Sequence, residues 1–207
     1  MSHFPKTFTE EEDIDSVLLA LVQLDAALKQ EYTNLYKTAQ IDKKYSAVIN
    51  YRVQTIQKAK ARYQAVEKET KVPWWFIAIV HSLECSNSFS GHLHNGDSLN
   101  GRTVRVPKGR IPQKNPPYTW EESAIDALKL TGQANKKDYS LPSTLFFLEG
   151  YNGYGYRQYH PEVKSPYLWS FTSHYKKGKY VADGKFDKEA VSKQIGAVCL
   201  LKAMKIF

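Results

Sequence analysis

The sequence is poor in the features that would settle its role quickly. It has two cysteines in 207 residues, Cys85 and Cys199, too few for a disulfide framework and matching no zinc spacing. A buried, reduced pair is the expectation, and nothing in the sequence marks His81 as a base for Cys85. The longest apolar run, Val72 to Val80, is far too short to span a bilayer. The opening "MSHFPKTFTEEEDID" is acidic, with no basic start leading into an apolar core, so no signal peptide is expected. There is no internal repeat or low-complexity tract. No RNA-recognition signature, zinc-finger spacing or helix-turn-helix is present either, so nucleic acid is not an expected partner. No metal or cofactor is expected.

What is present points to a soluble globular chain: 42% hydrophobic and 24% charged residues, long enough for a substantial core. A formal net charge of +8 favours a polyanionic partner, such as nucleic acid, an acidic membrane surface or a bacterial wall. Fourteen Tyr and four Trp suit a groove that stacks on flat ligands. A monomer is expected.

Hydrophobic periodicity predicts a mainly α (α+β) fold with one small β-hairpin. Thr9 and Glu12 have capping-box spacing, and Ile14, Val17, Leu18, Leu21, Leu24 and Leu28 then share one helical face. A second helix is predicted from about Lys43 to Glu69, with Ile49, Val53, Ile56, Tyr63 and Val66 inward. Pro73 opens a third through Trp74 to Glu84, apolar nearly all round and therefore central. Asn95-Gly96 and Asn100-Gly101, followed by the alternating Arg102 to Val106, predict a hairpin and then a proline-rich loop. Thr119 and Glu122 cap another helix that Gly132 ends, and a further helix runs from Pro142 to the Gly-rich "EGYNGYGYR". Asp187 is expected to cap the last helix, with Val191, Ile195, Val198 and Leu201 inward. Residues 1–70 read as a helical extension packed on a core of 71–207.

Within this layout Glu84 draws notice, because it closes the most apolar helix. An acid that breaks glycosidic bonds must stay protonated to donate to the leaving oxygen, and desolvation favours that form. Ile77 and Val80 lie two turns and one turn before Glu84 on about the same face, and Trp74 and Trp75 are positioned to wall a site. The competing account is an ion pair with one of 29 Lys and Arg residues. Asp97, thirteen residues on, reaches the opposite wall of a cleft if the hairpin folds back; equally, Asn-Gly-Asp is good turn chemistry. Thr103 alternates with Arg102 and Val104 and is a candidate to hold a water.

"HSLECSNSF" resembles the Glu-Ser-x-Phe signature of SLT-type lytic transglycosylases and goose-type lysozymes, although Cys85 follows Glu84 here and Phe89 is displaced. "EGYNGYGYR" is similar to the Tyr-Asn-Ala-Gly motif of the same superfamily, with Tyr151, Asn152 and Gly153 matching. "HNGDSLNGRTVRVPKGR" and "SPYLWSFTSHYKKGKYVADGKFD" resemble lysozyme-family and endolysin segments of bacteria and phages. The resemblance covers roughly Val72 to Phe207.

It implies a lysozyme-like domain that cleaves peptidoglycan between N-acetylmuramic acid and N-acetylglucosamine. Glu84 would be the general acid, Asp97 would position water as in goose-type enzymes, and Tyr151 and Asn152 would line the saccharide site. Tyr154 and Trp169 are further candidates for stacking on sugar rings. Transglycosylases dispense with a second carboxylate, using the substrate's acetamido group and closing a 1,6-anhydro ring. The partners implied are glycan strands and, through charge, an acidic wall or outer-membrane surface. The chain is expected to be made in the cytoplasm and to reach the wall by release or delivery, through a holin, a secretion machine or a virion. The alternatives are a non-catalytic basic module for cell wall or nucleic acid, and a chitinase- or chitosanase-like glycosidase.

Overall fold

The computed structural model describes residues 22–182 and 184–207. In chain order these residues form α1 (Ala26–Thr38), α2 (Ser46–Lys58), α3 (Lys60–Thr70), α4 (Trp74–Cys85), α5 (Trp120–Leu130), α6 (Leu141–Tyr151), α7 (Gly155–Tyr159) and α8 (Pro166–Trp169). The antiparallel strands β1 (Lys179–Ala182) and β2 (Lys185–Asp187) follow, and then α9 (Ala197–Ala203). The fold is mainly α with one small hairpin. No helix among the described residues is long and apolar enough to cross a membrane.

The hairpin is not where the turn residues placed it. Between residues 86 and 118 the only pairing is the isolated bridge Gly91–Ser98, and the hairpin lies at 179–187. The amides of Val104 and Arg105, which a strand would spend on a neighbour, instead donate to the Asp97 carboxylate. At 179–187 an aromatic cross-strand pair, Tyr180 opposite Phe186 with centroids 5.5 Å apart, supports the ladder.

Other boundaries shift for local reasons. The predicted first helix from Thr9 lies largely outside the described residues; α1 starts afresh at Ala26, where Asp25 caps it by accepting from the Leu28 amide at 2.8 Å. The predicted helix over 43–69 is a short 3-10 turn (Lys43–Tyr45) followed by α2 and α3, which separate at Ala59. Ile49, Ile56, Tyr63 and Val66 are buried as expected. Asp187 caps no helix: it ends β2, and its Oδ1 accepts from the Glu189 and Ala190 amides. The last helix begins ten residues later, so Val191 is 51% exposed while Ile195, Val198 and Leu201 are buried.

The described residues form two compact units, 54–139 in one and 22–53 with 140–207 in the other, and the division falls inside α2 instead of at residue 70. In the first, α3 packs on both α4 and α5. Every α4 residue from Phe76 to Leu83 is buried, and full burial of each large apolar side chain contributes about 1.5–3 kcal/mol. The Thr119 capping box at the head of α5 is complete: the Glu122 amide donates to Thr119 Oγ1 at 3.2 Å, and the Thr119 amide to Glu122 Oε2 at 2.9 Å. In the second unit α6 packs on α1 and α8, and α8 on α9. Gly196 makes the last contact possible, because a Cβ there would come within 2.6 Å of the carbonyl oxygens of Leu168 and Ser170.

Candidate functional site

Glu84 occupies the last turn of α4 and is half-buried, whereas the eight residues before it are buried. The helix stops abruptly there. Ser86 and Asn87 both take left-handed backbone (φ 52 and 60), and both direct their amides to His81 O. Asn87 holds this turn through its side-chain amide, which donates to the Tyr63 hydroxyl at 3.0 Å. Glu84 thus sits at the C-terminal, partially negative end of α4. Beside it, burial and then the charge of Glu84 push the Cys85 thiol up to about 12. Cys85 is therefore no thiolate nucleophile at neutral pH.

The loop after α4 is organised by its polar side chains. Asp97 is only 8% exposed. Its Oδ2 accepts from the Val104 and Arg105 amides at 2.8 and 2.9 Å, and its Oδ1 from Arg105 Nε at 2.6 Å. Burial alone would raise this carboxyl; the Arg105 amide and guanidinium, with the Val104 amide, reverse that and hold it below its ordinary value. The geometry thus gives Asp97 the turn-holding role. Thr103 is corrected from its expected role as a water holder: it is buried, donates to Pro107 O and accepts from the Arg110 amide, so its hydroxyl is committed to the loop.

The same loop contains a buried arrangement with the connectivity of a hydrolytic triad. His94 Nε2 lies 2.7 Å from Asp126 Oδ2, and Ser123 Oγ lies 3.4 Å from His94 Nδ1. Burial lowers His94 to about 4 despite its bond to Asp126. It is therefore neutral at pH 7, with its hydrogen on Nε2, as the carboxylate acceptor requires. Ser123 and His94 are both fully buried; Ser123 Oγ also accepts from the Leu93 amide at 3.1 Å, and Arg110 grips Asp126 at 2.9 and 3.0 Å. A nucleophile closed off from substrate does no chemistry. The cluster, joined by His92 bonding Ser123 Oγ and Gly101 O, fastens the loop to α5.

The remaining predicted residues belong to the second unit. Tyr151 ends α6 and is half-buried, and Asn152 follows it as an exposed helix cap. Tyr154 lies over α6, its ring stacked on Phe146 at 5.0 Å and its hydroxyl donating to Phe146 O at 3.0 Å. Gly150 permits this, since a Cβ there would lie 2.9 Å from the Tyr154 hydroxyl. Trp169 is corrected outright: at 1% exposure, edge-on to His174, it is core and offers no open face to a sugar. Glu84, Asp97 and Thr103 thus fall in one unit, and Tyr151, Asn152, Tyr154 and Trp169 in the other.

Sequence reasoning missed Glu149. It too ends an apolar helix, "LPSTLFFLEGY", so the pattern that singled out Glu84 occurs twice. Glu149 is 2% exposed, and its Oε2 accepts from the Tyr32 hydroxyl at 2.6 Å and from Arg157 Nε and Nη2 at 3.0 and 2.9 Å. Burial raises its carboxyl above the ordinary value, although Arg157 and Tyr32 pull it down. Arg157 also holds Glu31, which Lys164 reaches at 3.1 Å. The adjoining pocket, about 130 Å3 between Glu31, Glu149, Arg157, Ser165 and Trp169, has room for a few waters and not for a glycan strand.

Among the described residues no group of three or more His, Cys, Asp or Glu is placed to hold a metal ion. No family model, no curated protein and no solved structure matches the chain.

Proposed function

We propose that the protein is a peptidoglycan-cleaving glycosidase in which Glu84 donates a proton to the leaving oxygen of the β-1,4 bond between N-acetylmuramic acid and N-acetylglucosamine. One observation carries the reading. Of the two acids that end apolar helices, Glu149 is 2% exposed, while Glu84 is half-buried and still open to solvent at the end of a buried helix. The motif resemblance around Glu84 and Tyr151 supports the choice of substrate, and the net charge of +8 supports residence on an acidic wall.

Asp97 bears on the product. Its two oxygens take three hydrogen bonds within the loop, so it is poorly disposed to activate water. Support for the developing positive charge at C1 then passes to the substrate's own acetamido oxygen. Glu84, having given up its proton, accepts the one from the C6 hydroxyl as that oxygen closes onto C1, leaving a 1,6-anhydro end lighter by one water than the hydrolysis product.

The test is clearing of a peptidoglycan suspension by wild type and Glu84→Gln, with muropeptides read by mass spectrometry. The expected result is a loss of roughly 10²–10⁴-fold on substitution, with circular dichroism unchanged. Clearing that survives the substitution removes Glu84 as the acid, and wall binding without clearing by wild type would favour a binding module.

A further inference from the structure

In the second unit, residues 40–42 pair antiparallel with 171–173 through the Ile41–Thr172 bridge. The Asp42 amide donates to Phe171 O at 3.0 Å and the Ser173 amide to Gln40 O at 2.8 Å. These segments line an open groove of about 580 Å3, within the size range of small-ligand sites. Glu84 belongs to the other unit and is not among the lining residues.

The groove combines three chemistries. Its rings are Tyr45 and Phe171, parallel within 7° at 3.6 Å, with Tyr175 nearby. Its hydroxyls have protons to spare. Ser170 is fully buried, and its Oγ has no hydrogen-bond partner among the described residues. Ser173 Oγ accepts from the Gln40 amide at 3.1 Å and Ser192 Oγ from the Gln194 amide at 3.3 Å. Each of those bonds uses a lone pair and leaves the hydroxyl proton for another acceptor. Its charges are cationic on balance: Lys44 is paired with Asp42 at 2.9 Å, whereas Lys176 is exposed and makes no ion pair with a described residue.

A buried hydroxyl left without a partner is costly, and a ligand acceptor oxygen that reaches it would relieve that cost. A purely apolar ligand would leave Ser170 as it is, and a cation would meet Lys176. Sugars present apolar C–H faces to rings and oxygens to hydroxyls, and an anionic substituent would answer the lysine. We propose that this groove binds a sugar bearing a carboxylate or phosphate group, as a site additional to the one at Glu84. The choice of sugar rests on the peptidoglycan reading; the groove's preference for an anion does not.

The experiment is an NMR titration of full-length Glu84→Gln with N-acetylmuramic acid, N-acetylglucosamine 6-phosphate and N-acetylglucosamine. Saturable shifts are expected at residues 170–176 and 191–192 with one or both acidic sugars, and the tighter of the two identifies carboxylate or phosphate as the anion. The neutral sugar should bind roughly tenfold more weakly, as should the better acid to Lys176→Glu. Ser170→Ala should raise the Tm of the free protein by about 2–4 °C while weakening the acid sugar several-fold, opposite signs that a merely structural serine would not produce. Absence of saturable shifts, equal binding of the neutral sugar, or unchanged affinity in Ser170→Ala would overturn the proposal. Groove binding by a protein whose wild type clears no wall would refute the Glu84 reading alone; clearing without groove binding would refute the groove alone.

Discussion

Arg157→Met probes the most heavily committed ion cluster of the second unit, keeping much of the side chain's length and removing its charge. Arg157 gives Nε and Nη2 to Glu149 at 3.0 and 2.9 Å and Nη1 to Glu31 at 3.2 Å. Glu31 retains Lys164 and is one-third exposed, so its loss is minor. Glu149, with 3% of its side chain exposed, keeps only the Tyr32 hydroxyl and becomes a buried charge without a counter-ion. Breaking such a pair from one side costs about 3–5 kcal/mol, which lowers Tm by roughly 6–20 °C for a chain of this size. The pH dependence has a defined sign. Burial already raises the Glu149 carboxyl above 4.5, and Arg157 is the largest opposing influence; without it the value climbs further. A raised folded value gives stability that is full below the unfolded value near 4.5 and is lost as pH rises through the folded value. The deficit of the variant is therefore largest at neutral and alkaline pH and shrinks toward pH 4.5. Urea unfolding followed by circular dichroism at pH 8 and pH 5 measures both. A loss under about 1 kcal/mol at pH 8, typical of a surface pair, would refute the argument, as would a loss independent of pH. Adding Glu149→Leu to Arg157→Met should recover much of the stability, because no charge is then buried alone.

Asp97→Asn should weaken the loop by about 1–3 kcal/mol, the worth of hydrogen bonds to a charged group. It should speed hydrogen exchange at Val104 and Arg105 and reduce clearing less than Glu84→Gln does; an equal loss with unchanged exchange would make Asp97 catalytic. His94 has a folded value lowered to about 4 from 6.5, so its stabilisation is full above pH 6.5 and is lost as pH falls toward about 4. His94→Gln should flatten that part of the Tm–pH curve, and curves of identical shape would contradict the assignment. With its thiol pushed up to about 12, Cys85 should react with an alkylating reagent at pH 8 far more slowly than free cysteine. Cys85 is half-buried, where the sequence led us to expect a buried pair, while Cys199 is buried; native labelling of Cys85 at the free-thiol rate would contradict its raised thiol.

The helices were legible where local chemistry and periodicity agreed. The Thr119–Glu122 capping box, the apolar α4 and the stripe Ile49, Ile56, Tyr63 and Val66 need only near neighbours in sequence to declare themselves. The loop after α4 was misread for the opposite reason. Its turn residues and alternation suggested a hairpin, but which acceptor the Val104 and Arg105 amides would take depended on Asp97 folding back to meet them. The ties of His92 and His94 lie outside any local pattern, because their partners Ser123 and Asp126 are about thirty residues on.

The two helix-ending acids carry the same lesson to the site. Glu84 and Glu149 share one local pattern, each closing an apolar helix ahead of turn-forming residues, although only Glu84 drew notice in the sequence. They differ in what meets them after folding. Arg157 is eight residues beyond Glu149, and the chain between them turns at Gly153, whose positive φ of 75 suits glycine. That turn converts a buried acid into half of an ion pair. After Glu84 the chain also turns through left-handed residues, at Ser86 and Asn87, and there the acid stays half-buried, whereas Glu149 is 2% exposed. An apolar helix therefore shows that an acid is held near a dry environment; how far the following turn shuts it away from solvent separates a structural carboxylate from a candidate for chemistry. Burial against Arg157 places Glu149 among the structural acids, and Glu84, half-open at the end of α4, is the one a substrate can meet.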